Sequence, residues 1–94
     1  MRLDPLMLRA IKILAKEGYR FRVTVLAGAS HSSKSRHYAG LAFDVDHLNG
    51  FKISDSHPYW RRFLQRCREL GATETLGPGD AGHSRHVHAA WPRR

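Results

Sequence analysis

The chain lacks several features that mark common classes of protein. It has one cysteine, Cys67, in 94 residues, so no disulfide bond can form within the chain. No apolar run approaches the roughly 18 residues that a membrane-spanning helix needs. The start carries no recognisable secretory leader, because Arg9 and Lys12 interrupt its apolar residues. The sequence therefore predicts a domain without disulfides and without a membrane span, in which Cys67 is a small core residue rather than a nucleophile.

Acidic residues are scarce as well. Eight Asp and Glu stand against 16 Lys and Arg, which gives a formal net charge of +8. A cationic chain of this kind favours an anionic partner, such as nucleic acid, an anionic membrane surface or an acidic cell-wall polymer. A solvated cationic surface explains the same composition, so charge alone does not choose a partner. The length fits one domain over residues 1–94, for which we expect a monomer.

Periodicity and turn residues divide the chain into two helices and four strands. Pro5 marks the start of the first helix and Gly18 its end. Asn49-Gly50 is a strong turn signal after the second strand. The predicted elements are, in order, a helix over 5–17, strands over 21–26 and 41–46, a helix that Ser56 or Asp55 caps and Gly71 ends, a short strand over 73–76 and a last strand over 86–91. This order predicts an α+β fold, with a small, mainly antiparallel sheet flanked by two helices.

Apolar residues also predict which face of the second helix is buried. Four residues at roughly helical spacing form the predicted stripe: Tyr59, Phe63, Cys67 and Leu70. His57 stands just before a proline and is expected to serve the start of this helix. Trp60 and Trp91 are expected in the core or at its rim.

Histidine is plentiful, with seven residues, and its placement relative to the strands carries the functional prediction. Residues i and i+2 of a strand point to the same face, so His86 and His88 share one face of the last strand. Asp44 projects from the second strand beside the small Ala42, and His37 lies in the loop that leads into that strand. If the two strands are neighbours, His37, Asp44 and His88 can converge.

Two imidazoles and a carboxylate form a ligand set that suits a catalytic zinc ion, with one coordination position left to water. Zinc would lower the pKa of its water toward about 7 and polarise a carbonyl, so the natural reaction is hydrolysis of an amide. His86, beside the metal, would stabilise the oxyanion or transfer a proton. Two simpler interpretations stay open: a chance His-x-His pair, and an Asp44 carboxylate bonded to buried backbone.

Two segments resemble the motifs of one enzyme family. Residues 35–44, Ser-Arg-His-Tyr-Ala-Gly-Leu-Ala-Phe-Asp, resemble the Ser-x-His-x-x-Gly-x-Ala-x-Asp signature of the zinc D-Ala-D-Ala peptidases. That family belongs to the lysostaphin/D-Ala-D-Ala metallopeptidase group of peptidoglycan hydrolases. Residues 80–88 resemble its second motif, in which an Asp-x-Gly-His segment runs into His-x-His. The resemblance covers about residues 23–91.

The resemblance implies Zn2+ as the cofactor, with His37, Asp44 and His88 as ligands and His86 as a further catalytic histidine. It implies hydrolysis of stem-peptide bonds in bacterial peptidoglycan, by a D,D-carboxypeptidase or an L-Ala-D-Glu-type endopeptidase. It also implies a small antiparallel sheet flanked by helices. Many members come from bacteriophages or act on bacterial walls. Since no leader is visible, we expect a phage lytic protein, of the endolysin kind, that reaches the cell wall in a virion or on lysis.

One departure from the family pattern concerns the catalytic base. Many relatives carry an acidic residue three positions before the last zinc ligand, where this chain has Arg85. A guanidinium does not accept a proton at neutral pH, so another group must act as the base or the chain is a weak or inactive hydrolase. Asp80 is the preferred base because it lies in the motif, although a turn-forming role explains it equally well. The other candidates are His83, Glu74 and Asp46.

A second departure concerns the substrate's carboxylate. Relatives often place an arginine after the first strand to hold it, and this chain has none there. The predicted substrate-binding residues are Ser35, Arg36 and Arg85, with Lys34 as a further cation. Arginine suits this role because its guanidinium binds a carboxylate in bidentate geometry.

Three functions therefore compete. The first is a zinc peptidase of peptidoglycan, and the second is a non-catalytic metal-binding domain of the same fold, which Arg85 motivates. The third is a small basic protein that binds nucleic acid, which the net charge of +8 motivates. The third explains neither motif, so we expect no specific nucleic-acid partner.

Overall fold

The computed structural model describes residues 5–25 and 42–92, which form a small α+β fold with an antiparallel sheet and two helices. This confirms the predicted fold class. The predicted ends of two strands, Leu26 and Leu41, lie outside the described residues. The elements are α1 (Pro5–Lys16), β1 (Phe21–Val25), β2 (Ala42–Leu48), β3 (Phe51–Lys52), α2 (Trp60–Glu69), β4 (Glu74–Leu76) and β5 (Val87–Ala90). Within the described ranges, neither helix has the length and apolar character that crossing a bilayer requires.

Both helices end at the glycines that the sequence indicated. Gly18 has φ 98° and Gly71 has φ 109°, in the left-handed region that a residue with a Cβ rarely adopts. After α1, the backbone N–H of Tyr19 donates to the carbonyl of Leu14 at 3.1 Å. After α2, the backbone N–H of Ala72 donates in the same way to the carbonyl of Cys67 at 3.0 Å. These are Schellman ends, which satisfy carbonyls that the helix leaves unpaired.

The predicted start of α2 is wrong. The helix begins at Trp60, and no side chain caps it, so neither Ser56 nor Asp55 fills that role. His57 does serve the start, as predicted: its Nδ1 accepts a hydrogen bond from the backbone N–H of Tyr59 at 3.0 Å. Its Nε2 lies 2.8 Å from the carbonyl oxygen of Leu48, so the proton is on Nε2 and donates there.

The buried stripe of α2 is also corrected. Tyr59 precedes the helix and is 39% exposed, and Leu70 follows it and is only partly buried. The positions i, i+3, i+4 and i+7 counted from the true first residue are the ones that face the core: Trp60, Phe63, Leu64 and Cys67. Burial raises the pKa of the Cys67 thiol to about 12, which agrees with its predicted place in the core.

The sheet has the order β1-β2-β5-β4, and β3 pairs with the end of β2 on the edge opposite β1, beyond the part of β2 that pairs with β5. All pairs are antiparallel. The predicted turn at Asn49-Gly50 joins β2 to β3, with φ 54° and 87°, as a two-residue hairpin of type I′ requires. The ladder between β2 and β5 joins strands that are about 40 residues apart in sequence, and it positions the candidate site.

The two faces of the sheet differ in chemistry. Partners on neighbouring strands share a face, so Phe43, Val45, Val87 and Ala89 all lie on the face that the helices cover. Trp91 continues this face, with its ring 5.7 Å from that of Phe43. The alternate residues of the same strands lie on the opposite face and include Asp44 and His88.

Candidate active site

Asp44 and His88 are direct partners across the β2–β5 ladder. Oδ1 of Asp44 lies 2.9 Å from Nδ1 of His88. The two side chains are only 14% and 10% exposed. The condition that these two strands are neighbours is met, and the two side chains converge. Among the described residues, this is the part of the predicted ligand set that the fold brings together.

Glu74 approaches the same histidine from the other side. Its Oε1 lies 2.8 Å from Nε2 of His88, so each ring nitrogen of His88 contacts a carboxylate. Burial disfavours the charged imidazole and lowers its pKa, but the hydrogen bonds with Asp44 and Glu74 outweigh burial and leave the pKa raised. Without a metal, the imidazolium form donates one N–H to each carboxylate.

Two further histidines stand beside this pair. Nε2 of His86 lies 4.0 Å from Oδ2 of Asp44, and its side chain is 31% exposed. The ring of His83 lies 4.7 Å from that of His86 and 6.0 Å from that of His88. Nδ1 of His83 is 2.8 Å from the carbonyl oxygen of Ala81, which fixes its ring within the loop before β5. His86 is therefore near enough to act on a group bound at Asp44, and its catalytic role stays a prediction.

A groove of about 820 Å³ opens beside the site. Asp44 and His86 line one part of it, and the cations Arg85 and Lys52 line others. Neither cation forms an ion pair within the described ranges. Asp46 also lines the groove, but Arg22 donates two hydrogen bonds to it and holds the pKa of its carboxyl well below the usual range. A carboxylate held in this way is a poor proton acceptor, so Asp46 is a weak candidate for the base.

Asp80, the preferred base, has a local partner. Its Oδ2 accepts a hydrogen bond from the backbone N–H of Gly77 at 2.9 Å, within the loop between β4 and β5. This is the turn-forming role that the sequence left open. No contact among the described residues joins Asp80 to Asp44 or His88, so its assignment as the base stays a prediction.

Several predicted site residues lie outside the described residues. They are the zinc ligand His37, the substrate-binding residues Ser35 and Arg36, and the alternative cation Lys34. Arg85 is described, and it is exposed at the groove, where a substrate-binding role stays a prediction.

The donors at the site suit zinc. A carboxylate oxygen and an imidazole nitrogen are the atoms that zinc takes from Asp and His. Two ligands at about 2.0–2.1 Å from a tetrahedral ion are about 3.3 Å apart, so the 2.9 Å pair of Asp44 and His88 needs only a small widening. Within residues 5–25 and 42–92, no group of three or more His, Cys, Asp or Glu side chains is arranged to hold a metal.

Glu74 is the residue whose place the sequence did not indicate. It stands among the candidates for the base, but nothing in the sequence predicts its contact with His88. The only signal is that Glu74 begins a short strand, and the partner of that strand is visible only in the fold.

Comparisons of the chain with family models, with curated proteins and with solved structures found no match.

Proposed function

We propose that this protein is a zinc-dependent peptidase of bacterial peptidoglycan, related to the zinc D-Ala-D-Ala peptidases. The observation that carries the proposal is the pairing of Asp44 with His88 at 2.9 Å. These residues occupy the positions of two zinc ligands in the motifs that the chain resembles. Asp44 lies on a strand that precedes α2 in the sequence, and His88 lies on a strand that follows it. The sequence alone therefore did not guarantee that the two side chains would be in contact.

The ligands of the metal would be Asp44, His88 and, from the resemblance, His37. A zinc ion bound there would supply Lewis-acid activation of the scissile carbonyl and of a water molecule. His86 would donate a hydrogen bond to the oxyanion of the tetrahedral intermediate, because its Nε2 lies beside the Asp44 carboxylate at 4.0 Å. The groove would let an extended peptide reach this point.

The cations of the groove favour a substrate with free carboxylates, as wall stem peptides have. Arg85 lies next to His86 in the chain and lines the groove with it. Its guanidinium would bind a substrate carboxylate close to the scissile bond and orient the peptide. The protein would then act on the bacterial cell wall, delivered by a phage particle or released on lysis.

Digestion of purified peptidoglycan tests this proposal. The protein with one equivalent of zinc should release peptide fragments, and mass analysis of the fragments should identify one type of bond. A chelator should stop the release and added zinc should restore it. His88→Ala should abolish it, whereas Asp55→Asn, a change at a side chain that is 87% exposed, should leave it unchanged. Wild-type protein that retains no zinc and releases no fragment would contradict the proposal.

A second candidate is a metal-binding domain of the same fold without catalytic activity. The observation that favours it is Arg85, which stands where many relatives have an acidic base and lines the groove. This candidate predicts one bound zinc per chain and no cleavage of any wall peptide. Arg85→Asp would then create activity, whereas in an active enzyme the same change would weaken substrate binding.

A further inference from the structure

We propose that Glu74 is a positioning residue that orients His88 for metal binding. The proposal rests on the zinc-dependent function above. In this proposal the two ring nitrogens of His88 have different roles. Nδ1, beside Asp44, binds the metal, and Nε2–H donates a hydrogen bond to the carboxylate of Glu74.

The register of the sheet creates this arrangement. Glu74 pairs with Ala90 across the β4–β5 ladder, and Leu76 pairs with His88. Glu74 is therefore the diagonal neighbour of His88 on the same face, and a side chain of its length can span such a diagonal. Oε1 of Glu74 reaches Nε2 of His88 at 2.8 Å, while Nδ1 stays directed at Asp44 at 2.9 Å.

A histidine that binds a metal must divide its two ring nitrogens between two roles. The nitrogen that binds a metal must present a lone pair, so the ring must carry its proton on the other nitrogen. A carboxylate that accepts this second N–H fixes the tautomer and the ring orientation, and raises the basicity of the ligand. Nδ1 is the nitrogen beside the other predicted ligand, so Nε2–H needs the acceptor, and Glu74 provides it.

The contact between Glu74 and His88 differs from an ion pair on the protein surface. The side chain of His88 is 10% exposed, so its Nε2–H needs an acceptor from the protein. Glu74 is 44% exposed and remains partly solvated, which keeps the desolvation cost of its charge low. Within the described residues, Glu74 forms no ion pair with a lysine or arginine, so this charge is available to the histidine.

Zinc affinity, measured by competition with a chromophoric chelator, tests the proposal without any readout of activity. Glu74→Ala should weaken zinc binding by about 10–100-fold, the loss typical of such outer partners. Glu74→Gln should recover part of the loss, because its amide oxygen still accepts from Nε2–H. Glu69→Ala is the matched control: it removes the same charge from a surface pair with Arg66 and should leave the affinity unchanged.

Nitrogen NMR of the zinc-loaded wild type gives a second test that needs no variant. The His88 ring should show a proton on Nε2 and the shift of a metal-bound nitrogen at Nδ1. Zinc on Nε2, or equal affinity in the wild type and a folded Glu74→Ala variant, would overturn the role of Glu74 and leave the zinc proposal standing. A wild type that binds no zinc would overturn both.

Discussion

The two faces of the central strands show how one stretch of backbone serves two purposes. On the helix side, Phe43 and Val87 pack into the core and are at most 1% exposed. On the other side, Asp44 and His88 face each other, and Asp44 lines a groove. The side chains alternate one by one, so a register that buries the apolar residues also fixes the polar pair. A slip by one residue would exchange the faces and destroy both.

The largest expected effect lies on the apolar face. Phe43→Ala should lower the free energy of unfolding by about 3–5 kcal/mol, because it removes a buried ring and leaves a cavity beside Trp91. Urea denaturation followed by tryptophan fluorescence measures this. Phe43→Leu is the milder comparison and should cost less. A loss below about 1 kcal/mol for the alanine variant would show that this face does not fix the register.

The next effect lies on the polar face of the same strand. Asp44→Asn keeps the shape of the side chain but removes the anionic ligand, so zinc affinity should fall by more than the roughly 10–100-fold expected for an outer partner. Asp46→Asn is the control on the neighbouring position of this face, because Asp46 is paired with Arg22. Titration calorimetry with zinc should show little change for Asp46→Asn. Equal losses for the two variants would contradict the assignment of Asp44.

A smaller effect is expected where the loop before β5 meets the core. A Cβ added at Gly77 would lie 2.7 Å from the ring of Trp60, too close for an unstrained contact. Gly77→Ala should therefore lower the free energy of unfolding by about 1–3 kcal/mol, as overpacking does. Thermal unfolding measures the change. A variant as stable as the wild type would mean that the ring of Trp60 moves aside at no cost.

The smallest effect concerns an exposed ion pair between the end of α1 and α2. Hydrogen bonds from Arg66 lower the pKa of the Glu17 carboxyl, so the pair stabilises the fold when Glu17 is ionised. The stabilisation is present above the ordinary pKa of glutamate and disappears as the pH falls through the lowered value. The gap in Tm between the wild type and Glu17→Gln should therefore shrink below about pH 4.5. Asp55→Asn, at a more distant and exposed pair, should show no comparable gap.

Local signals predicted most of the elements from the sequence. Pro5, Gly18 and Gly71 mark boundaries that depend on backbone chemistry alone, and the structure has them there. The start of α2 was wrong because Ser56 is a good cap by type, yet its hydroxyl lies 3.1 Å from that of Ser54 instead. Which residue caps a helix depends on the path of the chain before it. Here His57 holds that segment against β2 by a hydrogen bond to the carbonyl oxygen of Leu48.

The candidate site was predictable only in part, for the same reason. Alternation along each strand predicts which residues share a face, so Asp44 and His88 were identifiable as candidates. Their meeting depends on the pairing of β2 with β5, and the role of Glu74 depends on the register of β4. Pairing and register are non-local, and no short motif encodes them.

The most direct test of the central claim is a crystal of the zinc-loaded protein measured at the zinc absorption edge. We predict one anomalous peak per chain, about 2.0–2.2 Å from a carboxylate oxygen of Asp44 and from Nδ1 of His88. Nε2 of His88 should remain hydrogen-bonded to the carboxylate of Glu74. No peak at this position, in crystals grown with one equivalent of zinc, would contradict the account.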